Sequence, residues 1–364
     1  MEDQGRTVSI DEAVAIALGD INGGRVAAGL DVCRRVLAAR PDHRDALYLA
    51  GIAAQRLGDL PQAETFLARA VAFDGASVDA LIAYGEVMRA GRRQAEAQPA
   101  LRRAYGTGAV ILSYLEMDIQ YACNLHCRAC SHYSNHTIKG GVDFARGAAW
   151  MDRWATRLMP QRFRMLGGEP TLNPDLCRFI RHAAAIWPNS RREVVSNGFF
   201  LARHPDLYQA LAETGTRLNI TLHDIDPEYL AKVDPDGIVE AGRRHGFPVG
   251  IATATEAEFH RLYRGEGRDM LPFDDHSPGK SWQVCREKEC PTIHLGRLWK
   301  CPPVAFLNNI DERFGLFEKA EWQPYLQHKG LSSDCTDDEI LRYVGAPESV
   351  CGMCPTRLVA VRDG

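Results

Sequence analysis

Cysteine carries most of the reactive chemistry in this chain of 364 residues, which holds 11 of them. Cys123, Cys127 and Cys130 stand at the spacing C-x3-C-x2-C, just after an apolar, strand-like run over residues 111–119. Six more follow residue 280: Cys285, Cys290, Cys301, Cys335, Cys351 and Cys354. Thiolates are soft ligands suited to iron–sulfur clusters or zinc. On a cluster of four irons, three protein thiolates leave one iron open, and an open position marks a reactive metal site. A zinc site completed by His126, His132 or His136 is the competing reading. A ferredoxin-like electron-transfer cluster would need a fourth cysteine nearby.

The elements that must hold these cysteines fall into two kinds. Residues 1–108 are rich in alanine, leucine and arginine, and they repeat with a period of 34: Asp45-Ala46-Leu47 recurs as Asp79-Ala80-Leu81, Gly51 as Gly85, and Leu67 as Leu101. This resembles the tetratricopeptide pattern of stacked helix pairs, and three repeats are about the number needed to bury a continuous core. The resemblance implies a peptide or protein partner on the repeats, and a helical cap that steadies the following domain is the alternative. Pro99 is expected to cut the last helix short.

From about residue 109 the pattern changes to alternating strands and helices, the sign of βαβ units and a parallel sheet. Strands are expected near 111–119, 162–166, 193–196, 217–222 and 248–253, with a weaker one near 269–273. Helices are expected over about 142–158, 174–186, 205–213 and 226–245.

Two further motifs sit at strand ends. Met165-Leu166-Gly167-Gly168-Glu169-Pro170 closes the second strand and Val194-Val195-Ser196-Asn197-Gly198 the third. With the three cysteines before them, they resemble the signature of the radical SAM superfamily over roughly residues 111–364. The resemblance implies an α/β fold, a partial (βα)6 barrel. It implies a [4Fe–4S] cluster on Cys123, Cys127 and Cys130 whose open iron holds S-adenosylmethionine. It also implies SAM contacts from Gly167, Gly168, Glu169, Ser196 and Asn197. Thr221 and His223, at the end of the fourth strand, are further SAM- or substrate-facing candidates, because ligands in such folds bind at the carboxyl ends of strands. One position departs from the family: Ala129 stands where many members carry an aromatic against the adenine. Tyr121 or Tyr133 is the expected replacement.

Thr292 to Cys301 reads as a hairpin turning at Gly296-Arg297, and Cys351-Gly352-Met353-Cys354 gives C-x2-C. This order resembles the SPASM/Twitch extension, which implies a second, auxiliary [4Fe–4S] cluster on Cys285, Cys301, Cys351 and Cys354. Cys290 could take the place of Cys285, and a zinc ribbon could use the same four positions. Cys335 and Cys177 are read as structural or free thiols.

The expected organisation is therefore helical repeats at 1–108, a radical SAM core at 109–278 and a small cluster domain at 279–364. The expected function is reductive cleavage of SAM followed by hydrogen abstraction, for oxidation or epimerisation of a peptide or carrier-bound substrate. A sugar or aminocyclitol is the alternative substrate, and a non-enzymatic repeat protein with structural metal sites is the rival class. An electron donor such as flavodoxin or ferredoxin is implied. The net charge of −4 argues against a nucleic-acid partner. The polar N-terminus and the shortness of the apolar runs argue against a membrane and for the cytoplasm.

Overall fold

The computed structural model describes residues 2–3, 6–254, 259–273 and 275–361. Part of the polar start read from the sequence, at Met1, Gln4 and Gly5, lies outside them, as does the chain end after residue 361. The chain forms two compact units, Met1–Ala109 and Val110–Gly364.

The first unit holds three helix pairs: α1 (Ile10–Asn22) with α2 (Val26–Ala39), α3 (Arg44–Arg56) with α4 (Leu60–Val71), and α5 (Val78–Ala90) with α6 (Gln94–Tyr105). Side-chain oxygens of Ser9, Asp59 and Ser77 accept from backbone N–H groups in the first turns of α1, α4 and α5. Small residues let the paired helices meet. A Cβ on Gly51 would lie 2.4 Å from Leu67 Cγ, and one on Gly85 would lie 2.5 Å from Leu101 Cγ. The repeat of 34 is thus a repeat of the same packed contact. Pro99 does not end α6, which runs on to Tyr105 and stops at Gly106 in the left-handed conformation. Ala97, Ala100 and Leu101 on either side of Pro99 are buried, and this packing outweighs one missing helical N–H.

The second unit is built on a sheet of seven strands in the order β7-β6-β1-β2-β3-β4-β5. Five are parallel and joined by helices: β1 (Leu115–Gln120), β2 (Arg162–Gly167), β3 (Arg191–Ser196), β4 (Arg217–Leu222) and β5 (Val249–Thr253). Helices α7 (Phe144–Ala155), α8 (Leu176–Ile186), α9 (Leu207–Thr214), α10 (Pro227–Val233) and α11 (Pro235–His245) cover one face. Leu115, Met117 and Ile119 of β1 join Phe163, Trp154, Phe179 and Leu218 in that core. The alternate residues Glu116, Asp118 and Gln120 therefore point to the inner face, and all three are buried. Lower on that face Arg164 Nε donates to Glu193 Oε2 at 2.7 Å, and Asn219 Nδ2 donates to the same oxygen at 2.9 Å.

Four expectations need correction. The strand read over 111–119 is two, Val110–Leu112 and β1; the first pairs with Leu158–Pro160 outside the main sheet. Residues 269–273 form no strand: Gly267–Asp269 is a short 3-10 turn, Leu271 makes a lone bridge to Arg264, and Pro272 has no N–H for a ladder. The helix read over 226–245 is broken at Asp234, whose φ of 51° precedes Pro235. The hairpin of β6 (Thr292–His294) and β7 (Arg297–Trp299) turns one residue earlier than read, at Leu295-Gly296, because His294 pairs with Arg297. Its first strand continues the sheet beside β1, with Thr292 opposite Glu116. The result is an open, partial barrel; among the described residues no ladder joins β5 to β7. No described helix is long and apolar enough to cross a membrane.

Candidate active site

After β1 the chain leaves the sheet as a loop that carries the three cysteines. Ala129, Tyr133 and Thr137 adopt positive φ of 55–58°, which curls the loop back over the strand ends. The end of β2 pins it there: Gly168 N donates to Gln120 O at 2.8 Å and Glu169 N to Ala122 O at 2.9 Å. Glycine is required at this crossing. A Cβ on Gly168 would lie 2.2 Å from the Ala122 carbonyl oxygen, and one on Gly167, at φ +143°, would lie 2.0 Å from that of Gln120.

Cys123, Cys127, Cys130, Gly167, Gly168, Ser196, Asn197, Thr221 and His223 all line one cavity of about 550 Å³. Residues from three strand ends and the cysteine loop are thus brought together. Asn197 Nδ2 lies 3.9 Å from Cys123 Sγ and donates to Asn124 Oδ1 at 2.8 Å. His223 Nδ1 lies 3.5 Å from Cys127 Sγ. Burial pushes the Cys123 thiol up to about 11. Burial also opposes ionisation of Cys130, but His132 beside it holds that thiol below its usual value.

Glu169 is placed differently from its neighbours. It is fully buried and does not line the cavity. Its carboxylate accepts from Thr171 N, Thr171 Oγ1, Ser196 Oγ and Asn197 N. Its work is to lock the third strand end to the second. Neither tyrosine expected near the adenine faces the cavity. Tyr133 is buried among Tyr263 and His136, and Tyr121 packs on His294 and Phe306. The aromatic at the wall is Phe259, whose ring lies 6.3 Å from that of His223.

The later cysteines separate into two environments. The thiols of Cys285, Cys301, Cys351 and Cys354 feel one another's charge, and burial raises all four. Cys290 has other neighbours, Glu116, Glu287 and Tyr114. Cys285 and Cys354 also reach the wall of the large cavity. Beside this group Lys300 is 1% exposed, with its ammonium on the carbonyls of Tyr343, Val344 and Ala346 and 3.7 Å from the centre of the Trp282 ring. Sequence reasoning missed Lys300, Phe259, Glu116 and Asp118. The alternation of acids with apolar residues across Leu115–Gln120 was a readable signal for the last two.

Residues 117–260 match the sequence model of the Radical SAM superfamily. The chain carries a radical SAM domain. The GTP 3′,8-cyclase of Limosilactobacillus fermentum is 27% identical over 236 residues, covering 60% of this chain and 66% of that protein. The chain spans from 34% to 66% of the length of the first such cyclases it matches. Among solved structures, BtrN in complex with AdoMet and 2-DOIA aligns with a TM-score of 0.38 at 16% identity, covering 67% of this chain and 92% of that one. The type III secretion chaperone SycD of Yersinia enterocolitica, in complex with a peptide of the translocator YopD, aligns at a TM-score of 0.26 and 13% identity, covering 29% of this chain and 79% of that one.

A radical SAM domain implies a capacity to bind SAM and an iron–sulfur cluster. The donor set here suits both. Three thiols share one cavity, glycine main chain lies against the loop that carries them, and polar groups from the third and fourth strand ends complete the wall.

Proposed function

We propose that this chain is a radical SAM enzyme, with Cys123, Cys127 and Cys130 holding a [4Fe–4S] cluster. The observation that carries the proposal is their convergence on one cavity within the matched domain. When bound there, a reduced cluster with SAM would supply the radical chemistry that removes one hydrogen from the substrate. The main chain at Gly167 and Gly168, with Ser196, Asn197, Thr221 and His223, would hold SAM beside the cysteine loop. Glu169 acts through Ser196 and Asn197 and does not touch the ligand. Phe259 supplies the apolar surface that Ala129 lacks.

We assign Cys285, Cys301, Cys351 and Cys354 to an auxiliary [4Fe–4S] cluster within a segment spanning residues 279–364. The mutual influence of these four thiols supports this set over one with Cys290. A cluster closed by four thiolates suits electron transfer, and two of its cysteines, Cys285 and Cys354, border the cavity that holds the first three. Net oxidation of the substrate is therefore the favoured outcome. A sugar or aminocyclitol is favoured over a peptide. The cavity has the size of a site for one or two small molecules, and Ser131 and Glu287 offer hydroxyl-bonding groups at its wall. The helical repeats of residues 1–108 are left for a protein partner, and a flavodoxin or ferredoxin in the cytoplasm would supply the electron.

Anaerobic reconstitution and reduction test the proposal. The full chain is expected to convert SAM to 5′-deoxyadenosine and methionine and to hold about eight irons, four per cluster. A chain that binds zinc in place of iron and leaves SAM intact would instead be a repeat protein with structural metal sites.

A further inference from the structure

Behind the cysteine loop lies a group of buried polar atoms on β1, met by His132 at the edge of the cavity. Glu116 and Asp118 are neighbours on the inner face of β1, and each is 2% exposed. His132 reaches them from the loop. Its Nε2 lies 3.6 Å from Asp118 Oδ1 and 3.9 Å from Glu116 Oε1. All three of these atoms are buried without a hydrogen-bond partner, and all lie within 4.8 Å of one another. The other oxygen of Glu116 accepts from the Tyr114 hydroxyl, which leaves Oε1 aimed at His132 and Asp118.

Protons alone do not satisfy this group. An N–H···O hydrogen bond spans about 2.7–3.2 Å, and both imidazole–carboxylate gaps are longer. Two buried carboxylates facing a single imidazole are costly, and buried charges are paired or coordinate metals. Arg164, opposite Glu116 on β2, is already engaged with Glu193. The separations of 3.6 and 3.9 Å are close to the edges of a coordination polyhedron with metal–ligand bonds of about 2.0–2.2 Å.

We propose that Glu116, Asp118 and His132 bind a divalent transition ion that ties the cysteine loop to β1. Imidazole with two carboxylates is a donor set for zinc, manganese or ferrous iron, without the thiolates that the clusters use. The charge balances, two carboxylates and a neutral imidazole against one dication. The site has no exposed face on its two carboxylates, so its role is structural. It fixes His132, two residues beyond Cys130, and with it the third cysteine.

The test uses the full chain with its cysteines filled by iron and sulfide, washed with chelator and then given zinc. The expected result is one retained zinc per chain. X-ray absorption at the zinc edge should show only nitrogen and oxygen ligands, at about 2.0–2.2 Å. Glu116→Gln and Asp118→Asn should lose the zinc while iron content stays at the wild-type level, and Asp118→Glu should keep it. Three results would overturn the proposal: no zinc retained by the iron-loaded wild type, a sulfur shell at about 2.3 Å that places the zinc on cysteine, or retention undiminished in both Glu116→Gln and Asp118→Asn. The wild-type absorption spectrum decides even where a variant fails to fold.

Discussion

At the scale of single residues, close approach and burial explain which side chains this site tolerates. Gly168 touches the Ala122 carbonyl, so Gly168→Ala must displace the cysteine loop from the second strand end. A shift of about 1 Å in such a loop is expected to lower SAM cleavage on the order of a hundredfold, read as 5′-deoxyadenosine formed per chain under reducing conditions. His294 gives a prediction in pH. It is 2% exposed, packed by Tyr121, Phe306 and Trp299, and burial depresses its pKa from 6.5 to about 4. Its neutral form is the folded form, so its contribution to stability is full above about 6.5 and is lost as pH falls toward about 4. Urea unfolding midpoints should therefore drop between neutral pH and pH ~5.5, and His294→Phe should flatten that drop.

At the scale of elements, the helical repeats rest on a contact that recurs. Gly85→Ala would drive a methyl into Leu101, and overpacking of this kind costs about 1–3 kcal/mol. Pairing it with Leu101→Ala should restore part of that loss, since residues in contact are not additive. A double-mutant cycle by chemical denaturation reads both effects.

These elements were legible because their signals are periodic. The 34-residue repeat set the helix pairs, and the alternation of strands and helices set the five parallel strands. What the sequence hid was local. Asp234 breaks a helix that looked continuous, because Pro235 restarts it and the aspartate caps the new turn. The hairpin turn moved by one residue, because Leu295 accepts a φ of 51° beside Gly296. Within the candidate site the cysteines were readable from spacing, and the Gly-Gly pair and Ser196-Asn197 through the resemblance to radical SAM motifs. Phe259 and Lys300 were not, since each gains its meaning from segments far away in sequence. Glu169 was readable as a motif residue, but its place as a buried brace emerges only once Ser196 and Asn197 are seen around it.

At the scale of the molecule, the second unit gathers two sets of thiols around one cavity. Cys123, Cys127 and Cys130 come from the loop after β1, and Cys285 and Cys354 reach the wall from the C-terminal segment. The first set opens toward polar strand ends, and the second lies beside the buried ammonium of Lys300. The proposed division of labour is a reactive cluster held by three thiolates and a closed one held by four. The most direct test is 5′-deoxyadenosine formation by the reconstituted wild type and by the triple variant Cys123→Ala/Cys127→Ala/Cys130→Ala, with iron counted in both. The variant is expected to keep about four irons on the C-terminal cysteines and to form no 5′-deoxyadenosine, while the wild type forms it. A triple variant that still cleaves SAM, or a wild type that holds its iron and never does, would contradict the account.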